Sequence, residues 1–137
     1  MAEGDALHVD VVAADRRVWE GPATSVIART SEGDVGILVG HEPFLAVLVP
    51  CVVEILTTEG TREIIAVDGG FLSVAQNRVA VLSQFGRLAR EISIRDAEHE
   101  LAEAEKHLNA GDIETENYQH YLRASAQLRA AQRAQSH

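Results

Sequence analysis

Between Leu7 and Ser83 apolar and polar residues alternate in short stretches. In "LHVDVVA", Leu7, Val9 and Val11 fall on one side and His8 and Asp10 on the other. A period of two is that of a β-strand with one face buried and one wet. The same grain recurs in "RRVWE", "TSVIART", "DVGIL", "FLAVLV", "VVEIL", "REIIAV", "GFLSVA" and "RVAVLS". Val, Ile and Thr, which suit a pleated surface, crowd these pieces. Turn formers separate them, notably Glu59-Gly60, Asp68-Gly69-Gly70 and Gln76-Asn77, while Pro22 and Pro50 stand at edges where no ladder hydrogen bond is lost. So many short strands at close spacing predict an antiparallel β-sandwich or flattened barrel.

Past Ile92 the period lengthens. In "SIRDAEHELAEAEKHLNAG", Ile94, Ala97, Leu101, Ala104 and Leu108 recur at spacings of three and four, a narrow apolar stripe along a helix. Ser93 and Asp96 fit the N-cap and N3 positions of a capping box, and Asn109 and Gly111 fit a left-handed helix end. A second helix suits "TENYQHYLRASAQLRAAQRAQ", with Thr115 as N-cap and Tyr118, Tyr121, Leu122, Ser125 and Leu128 along one side. The short link between the two predicts an antiparallel hairpin. Both stripes are thin and rich in alanine, so docking is expected to contribute on the order of a few kcal/mol and to leave the hairpin able to move. The fold class is therefore α+β, with an N-terminal antiparallel β-sandwich or flattened barrel over residues 1–90 and a C-terminal two-helix hairpin over 91–137.

Composition narrows the function classes. With 46% hydrophobic and 24% charged residues, the chain has ample material for a core. Its formal net charge of -9 repels nucleic acid and anionic lipid. Cys51 is the only cysteine, which excludes an internal disulfide and fits a reducing compartment. The opening "MAEGDALHVD" lacks the pattern of a signal peptide, and no apolar run is long enough for a membrane helix, so a cytosolic or partner-held peripheral location is expected. Charge also sorts along the hairpin. Asp96, Glu98, Glu100, Glu103 and Glu105 load the first helix, while Arg123, Arg129 and Arg133 make the end of the second basic. Those arginines suit either the first helix's carboxylates or an acidic surface elsewhere.

Candidate chemistry is sparse. His41-Glu42 in "GDVGILVGHEPFLAVLVP" are sequence neighbours, which on extended chain point to opposite faces, and no nucleophile accompanies them. Gly36 and Gly40 instead suggest a shaped turn. Ser73 lies beyond the glycines of "DGGFLS", inside a strand, unlike the serine of a nucleophile elbow. His99, Glu103 and His107 share a helix face at a spacing able to ligate zinc, and a solvated charged face is the plainer reading, with no metal expected. No Gly-Lys-Ser/Thr phosphate loop is present. Cys51 reads as a buried, inert thiol.

Taken together, "EGDVGILVGH", "PFLAVLVPCVVEI" and "IAVDGGFLSVAQNRVAVL" resemble the epsilon subunit of bacterial F-type ATP synthases, and "LHVDVVAADRRVWEG" and the two-helix ending extend the likeness over nearly the whole chain. The resemblance implies a non-catalytic central-stalk subunit of the proton-transporting rotary motor, peripheral on the cytoplasmic face of a bacterial plasma membrane. Its implied partners are the gamma subunit, the c-ring and the catalytic alpha/beta hexamer. It further implies c-ring contact through Asp34, Gly40 and His41, and inhibition of ATP hydrolysis through Arg123, Arg129 and Arg133 on a hairpin that can fold or extend. Some members bind ATP through an Ile-Asp-x-x-Arg-Ala motif. Here Ile92, Arg95 and Ala97 lie in "ISIRDA", with Ser93 in place of the acid and Asp96 in place of the arginine, so no cofactor and no tight ATP binding are expected. Val39 and Cys51 stand where the family usually carries proline and glycine. A free-standing adaptor or metal-responsive module, using the His99, Glu103 and His107 face, is the competing reading.

Overall fold

The computed structural model describes residues 6–109 and 115–136. Seven strands come first: β1 (Leu7–Val12), β2 (Arg17–Thr30), β3 (Gly33–Leu38), β4 (Phe44–Thr57), β5 (Arg62–Ala75), β6 (Arg78–Leu82) and β7 (Gly86–Leu88). A 3-10 turn (Ala89–Glu91) leads to α1 (Ile94–Asn109) and α2 (Thr115–Ser136). Passing from neighbour to neighbour, β1, β6, β5, β4 and β2 lead back to β1 and so close a flattened barrel, while β3 extends from β2 and β7 from β5. One pairing departs from the expected antiparallel pattern. β1 and β6 run parallel, because the strands that close the barrel come from distant parts of the chain and no hairpin dictates their direction.

The expected breaks at Pro22, Pro50 and Gly69–Gly70 fall inside long strands. "RRVWE" and "TSVIART" are one strand, β2, as are "FLAVLV" and "VVEIL" in β4 and "REIIAV" and "GFLSVA" in β5. Along β4 the core-facing set passes from Leu48 to Cys51, and along β5 from Val67 to Leu72. Each is an odd step, so both strands turn over together at the corner. Gly70 makes this possible: its φ is +109°, and an added Cβ would collide with the Leu82 carbonyl of β6.

Inside the barrel pack Leu7, Val9 and Val11 of β1, Val26 of β2, Ile37 of β3, Val53 and Ile55 of β4, Ile65 and Leu72 of β5 and Val79 and Val81 of β6. A smaller cluster lies outside it. Val52, Ile64, Ala66 and Ala89 meet Ala130 of α2, with Ile92 and Ala134 against them. The β4–β5 ladder beyond the corner is therefore covered on both faces, which accounts for the consecutive buried apolar residues Cys51, Val52 and Val53.

The Ser93 half of the α1 capping box is present. The Asp96 amide donates to Ser93 Oγ at 3.2 Å and the Ala97 amide to Ser93 O at 2.9 Å. Ala97 and Ala104 are its buried residues, as the stripe predicts. α2 corrects the reading. Its buried residues are Ala124, Ala126, Ala130 and Ala131, whereas Tyr118 is exposed and Tyr121, Leu122, Ser125 and Leu128 are half-buried. α2 lies between α1 and the β4–β5 ladder, and small side chains let it approach both. The proposed Gly111 end and the Thr115 side chain fall outside what the structure describes.

Candidate functional surfaces

The β3 edge carries Asp34, Gly40 and His41 at its two ends. Asp34 stands opposite Arg29, whose Nε donates to Asp34 Oδ1 at 2.8 Å. That guanidinium holds the Asp34 carboxyl below the usual carboxylate range, and the carboxylate raises Arg29 in return. Thr30 Oγ1 donates to Gly33 O at 2.8 Å and accepts from the Glu32 amide at 3.1 Å, fastening the β2–β3 turn. At the other end Gly40 has φ +87°, and its amide donates to Asn77 Oδ1 at 2.7 Å, tying this loop to the β5–β6 turn. The His41 ring contacts Phe44 edge-on at 5.7 Å, and its Nδ1 lies 2.7 Å from Glu42 O, a backbone carbonyl rather than the carboxylate. No acid–base pair forms. Asp34 lies at the start of β3, whereas Gly40 and His41 lie in the turn after its end, where the His41 amide donates to Leu38 O at 3.1 Å; Asp34 to Leu38 alone spans about 13 Å of strand, so these residues flank one edge strand instead of forming a single cluster.

The corner at Gly69–Gly70 divides the barrel's outer surface. On one side α2 covers Val52, Ile64 and Ala66. On the other, Val47, Phe71 and Leu82 stand in register across β4, β5 and β6, yet are 52%, 53% and 49% exposed. Leu45, opposite Ser73, extends this bare apolar band.

Two arginines of α2 land on barrel carboxylates. Arg133 Nη1 donates to Glu54 Oε2 at 2.9 Å, and Arg62 approaches the same carboxylate at 3.9 Å. Arg123 Nε lies 2.9 Å from Asp68 Oδ2, an ion pair without the alignment of a hydrogen bond. The basic end thus docks on the barrel rather than on α1; between the helices one bridge runs from His120 Nε2 to Glu100 Oε2 at 3.0 Å. Arg129 is exposed, beside a small recess that Cys51 and Arg133 also line. Burial pushes the Cys51 thiol up, against smaller lowering contributions from a backbone hydrogen bond and nearby arginines. On α1, Lys106 pairs with Glu103 at 3.1 Å and holds its carboxyl below the usual range. Among the described residues no three His, Cys, Asp or Glu side chains converge so as to hold a metal ion.

A cleft of about 720 Å³ separates barrel and hairpin. Ile92, Ser93, Asp96 and Ala97 line it, whereas the exposed Arg95 is not part of its wall. The cations in the wall are Arg87 and Arg123, set among Asp68, Glu91, Asp96 and Glu100. Arg123 is committed to Asp68, and Arg87 reaches the Glu91 carbonyl at 3.4 Å. Such a wall opposes a polyphosphate. Sequence patterning missed Asp68, Glu54 and Arg87, since a carboxylate before two glycines reads as a turn residue and nothing local marks its partner.

Residues 6–86 match the family described as "ATP synthase, Delta/Epsilon chain, beta-sandwich domain". The chain is 45% identical over 124 residues to the ATP synthase epsilon chain of Streptomyces avermitilis, a match covering 90% of this chain and 94% of that one. The Cutibacterium acnes epsilon chain is 46% identical over 104 residues, covering 75% and 71% respectively. Among solved structures, a chain of Euglena gracilis mitochondrial ATP synthase superposes with a TM-score of 0.73 at 20% identity, covering 97% of this chain and 82% of that one. A chain of the Tetrahymena thermophila enzyme's central stalk and c-ring gives 0.59 at 16% identity, covering 93% and 95%. Barrel, hairpin and sequence agree, and the chain belongs to the family of ATP synthase epsilon chains.

Proposed function

We propose that this chain is a non-catalytic coupling and regulatory subunit of a membrane-associated, proton-translocating ATP synthase, standing on the cytoplasmic face of a bacterial plasma membrane. Its barrel joins gamma to the c-ring, and its hairpin, when released, inhibits ATP hydrolysis at the alpha/beta hexamer. The observation that carries this reading is the division of the barrel's outer face: one half is covered by the chain's own helix, and the other is a bare apolar band. Val47, Phe71 and Leu82 are in register yet about half exposed, an arrangement that suits a permanent partner. Gamma is the partner assigned to that band. The c-rings assembled with the similar chains of Euglena and Tetrahymena support placing this barrel on a ring. The β3 edge, from Asp34 to Gly40 and His41, is the surface assigned to it.

Phe71→Asp puts a charge into the centre of the band at a side chain outside the core. It should weaken co-purification with gamma about 30-fold or more, the scale of losing one interface hot spot. Unchanged recovery of gamma with a correctly folded variant would remove the band from the account. His41→Ala tests the other surface: coupling between proton flow and ATP turnover should loosen while catalysis in the hexamer is unaffected.

A further inference from the structure

We infer that Glu54 and Asp68 form a two-point latch that holds the hairpin folded by occupying Arg133 and Arg123, arginines assigned above to inhibition. This rests on the inhibitory reading of the hairpin and names what sets its resting position. The first observation is geometric. Ten residues separate the two arginines, about 15 Å along a helix. Asp68 stands beside Pro50 of β4, and the four residues from Pro50 to Glu54 span about 13 Å of strand. Cation and carboxylate spacings therefore match, with α2 running in the same direction as β4.

The second observation is the surroundings. The Glu54 and Asp68 side chains are only 16% and 14% exposed, while their arginines remain about half exposed. The carboxylates are thus fixed parts of the sheet, and the arginines are the mobile half. The apolar contact beside them is made on the helix side by alanines alone, Ala130 between the two arginines and Ala134 just past Arg133, against Val52, Ile64, Ala66, Ala89 and Ile92. So small an apolar contact leaves much of the discrimination between docked and free states to the ion pairs. A guanidinium held by Glu54 or Asp68 is unavailable to any other carboxylate, so docking on the barrel and reaching an acidic partner exclude each other.

The test uses the full chain with Glu54→Gln, Asp68→Asn and both together. Backbone hydrogen exchange is followed in α2, with β1 and β6 as the internal measure of folding. Each single change should speed α2 exchange about fivefold, the upper range for a solvent-accessible ion pair, and the pair about 25-fold, since the sites are far enough apart to add. Exchange in β1 and β6 should not change. In the assembled ATP synthase the double variant should hydrolyse ATP more slowly. The charge swap Glu54→Arg with Arg133→Glu should restore slow exchange while lacking one inhibitory arginine. Unaltered α2 exchange in a folded double variant overturns the latch. Faster exchange with unchanged hydrolysis supports the latch and overturns the inhibitory reading instead.

Discussion

Gly70 combines a φ of +109° with a close approach to the Leu82 carbonyl, so it tests the corner on which the outer surface divides. Gly70→Ala strains the backbone and forces β6 away; it should destabilise the barrel by about 3 kcal/mol, read as a lower urea midpoint. At the β3 edge, Arg29 depresses Asp34, so their pair contributes above the ordinary aspartate pKa of 3.8 and is lost as pH falls through the lowered folded value. An NMR titration should find the Asp34 midpoint below that ordinary value in the parent and returned to it in Arg29→Ala. An unmoved midpoint would mean that the pair does not persist in solution. His41 was legible as a loop residue, because glycines frame it and no partner residues accompany it in sequence. Glu54 was not legible, since its partner Arg133 is 79 residues away.

Among the elements, those with strong periodicity were legible and those defined by close approach were not. Alternation placed nearly every β segment, and Ser93-Asp96 placed the start of α1. Pro22, Pro50 and Gly69–Gly70 misled, because residues that end a strand also occur inside long ones, at a corner in the case of Gly70. In α2 the larger side chains suggested one face, but its alanines are what pack. Ala130 is fully buried against the sheet. Ala130→Leu should overfill that contact and destabilise hairpin docking by about 1–3 kcal/mol, measured as earlier thermal loss of helical signal with barrel melting unchanged. Simultaneous loss of both would show that hairpin and barrel melt as one unit.

For the whole molecule, the barrel core of β1–β6 is separate from the small cluster beneath α2, so the barrel should survive removal of the hairpin. The cleft between them is walled by carboxylates, and its Arg123 is engaged by Asp68. Isothermal titration should accordingly find no micromolar ATP site in the isolated chain. The central claim is that one chain couples through its barrel and regulates through its hairpin. Its most direct test is ATP hydrolysis and ATP-driven proton pumping by the synthase rebuilt with the full chain or with a chain ending at Ile92. The account predicts that the shortened chain assembles and pumps while hydrolysis rises severalfold; unchanged hydrolysis, or failure to assemble, would contradict it.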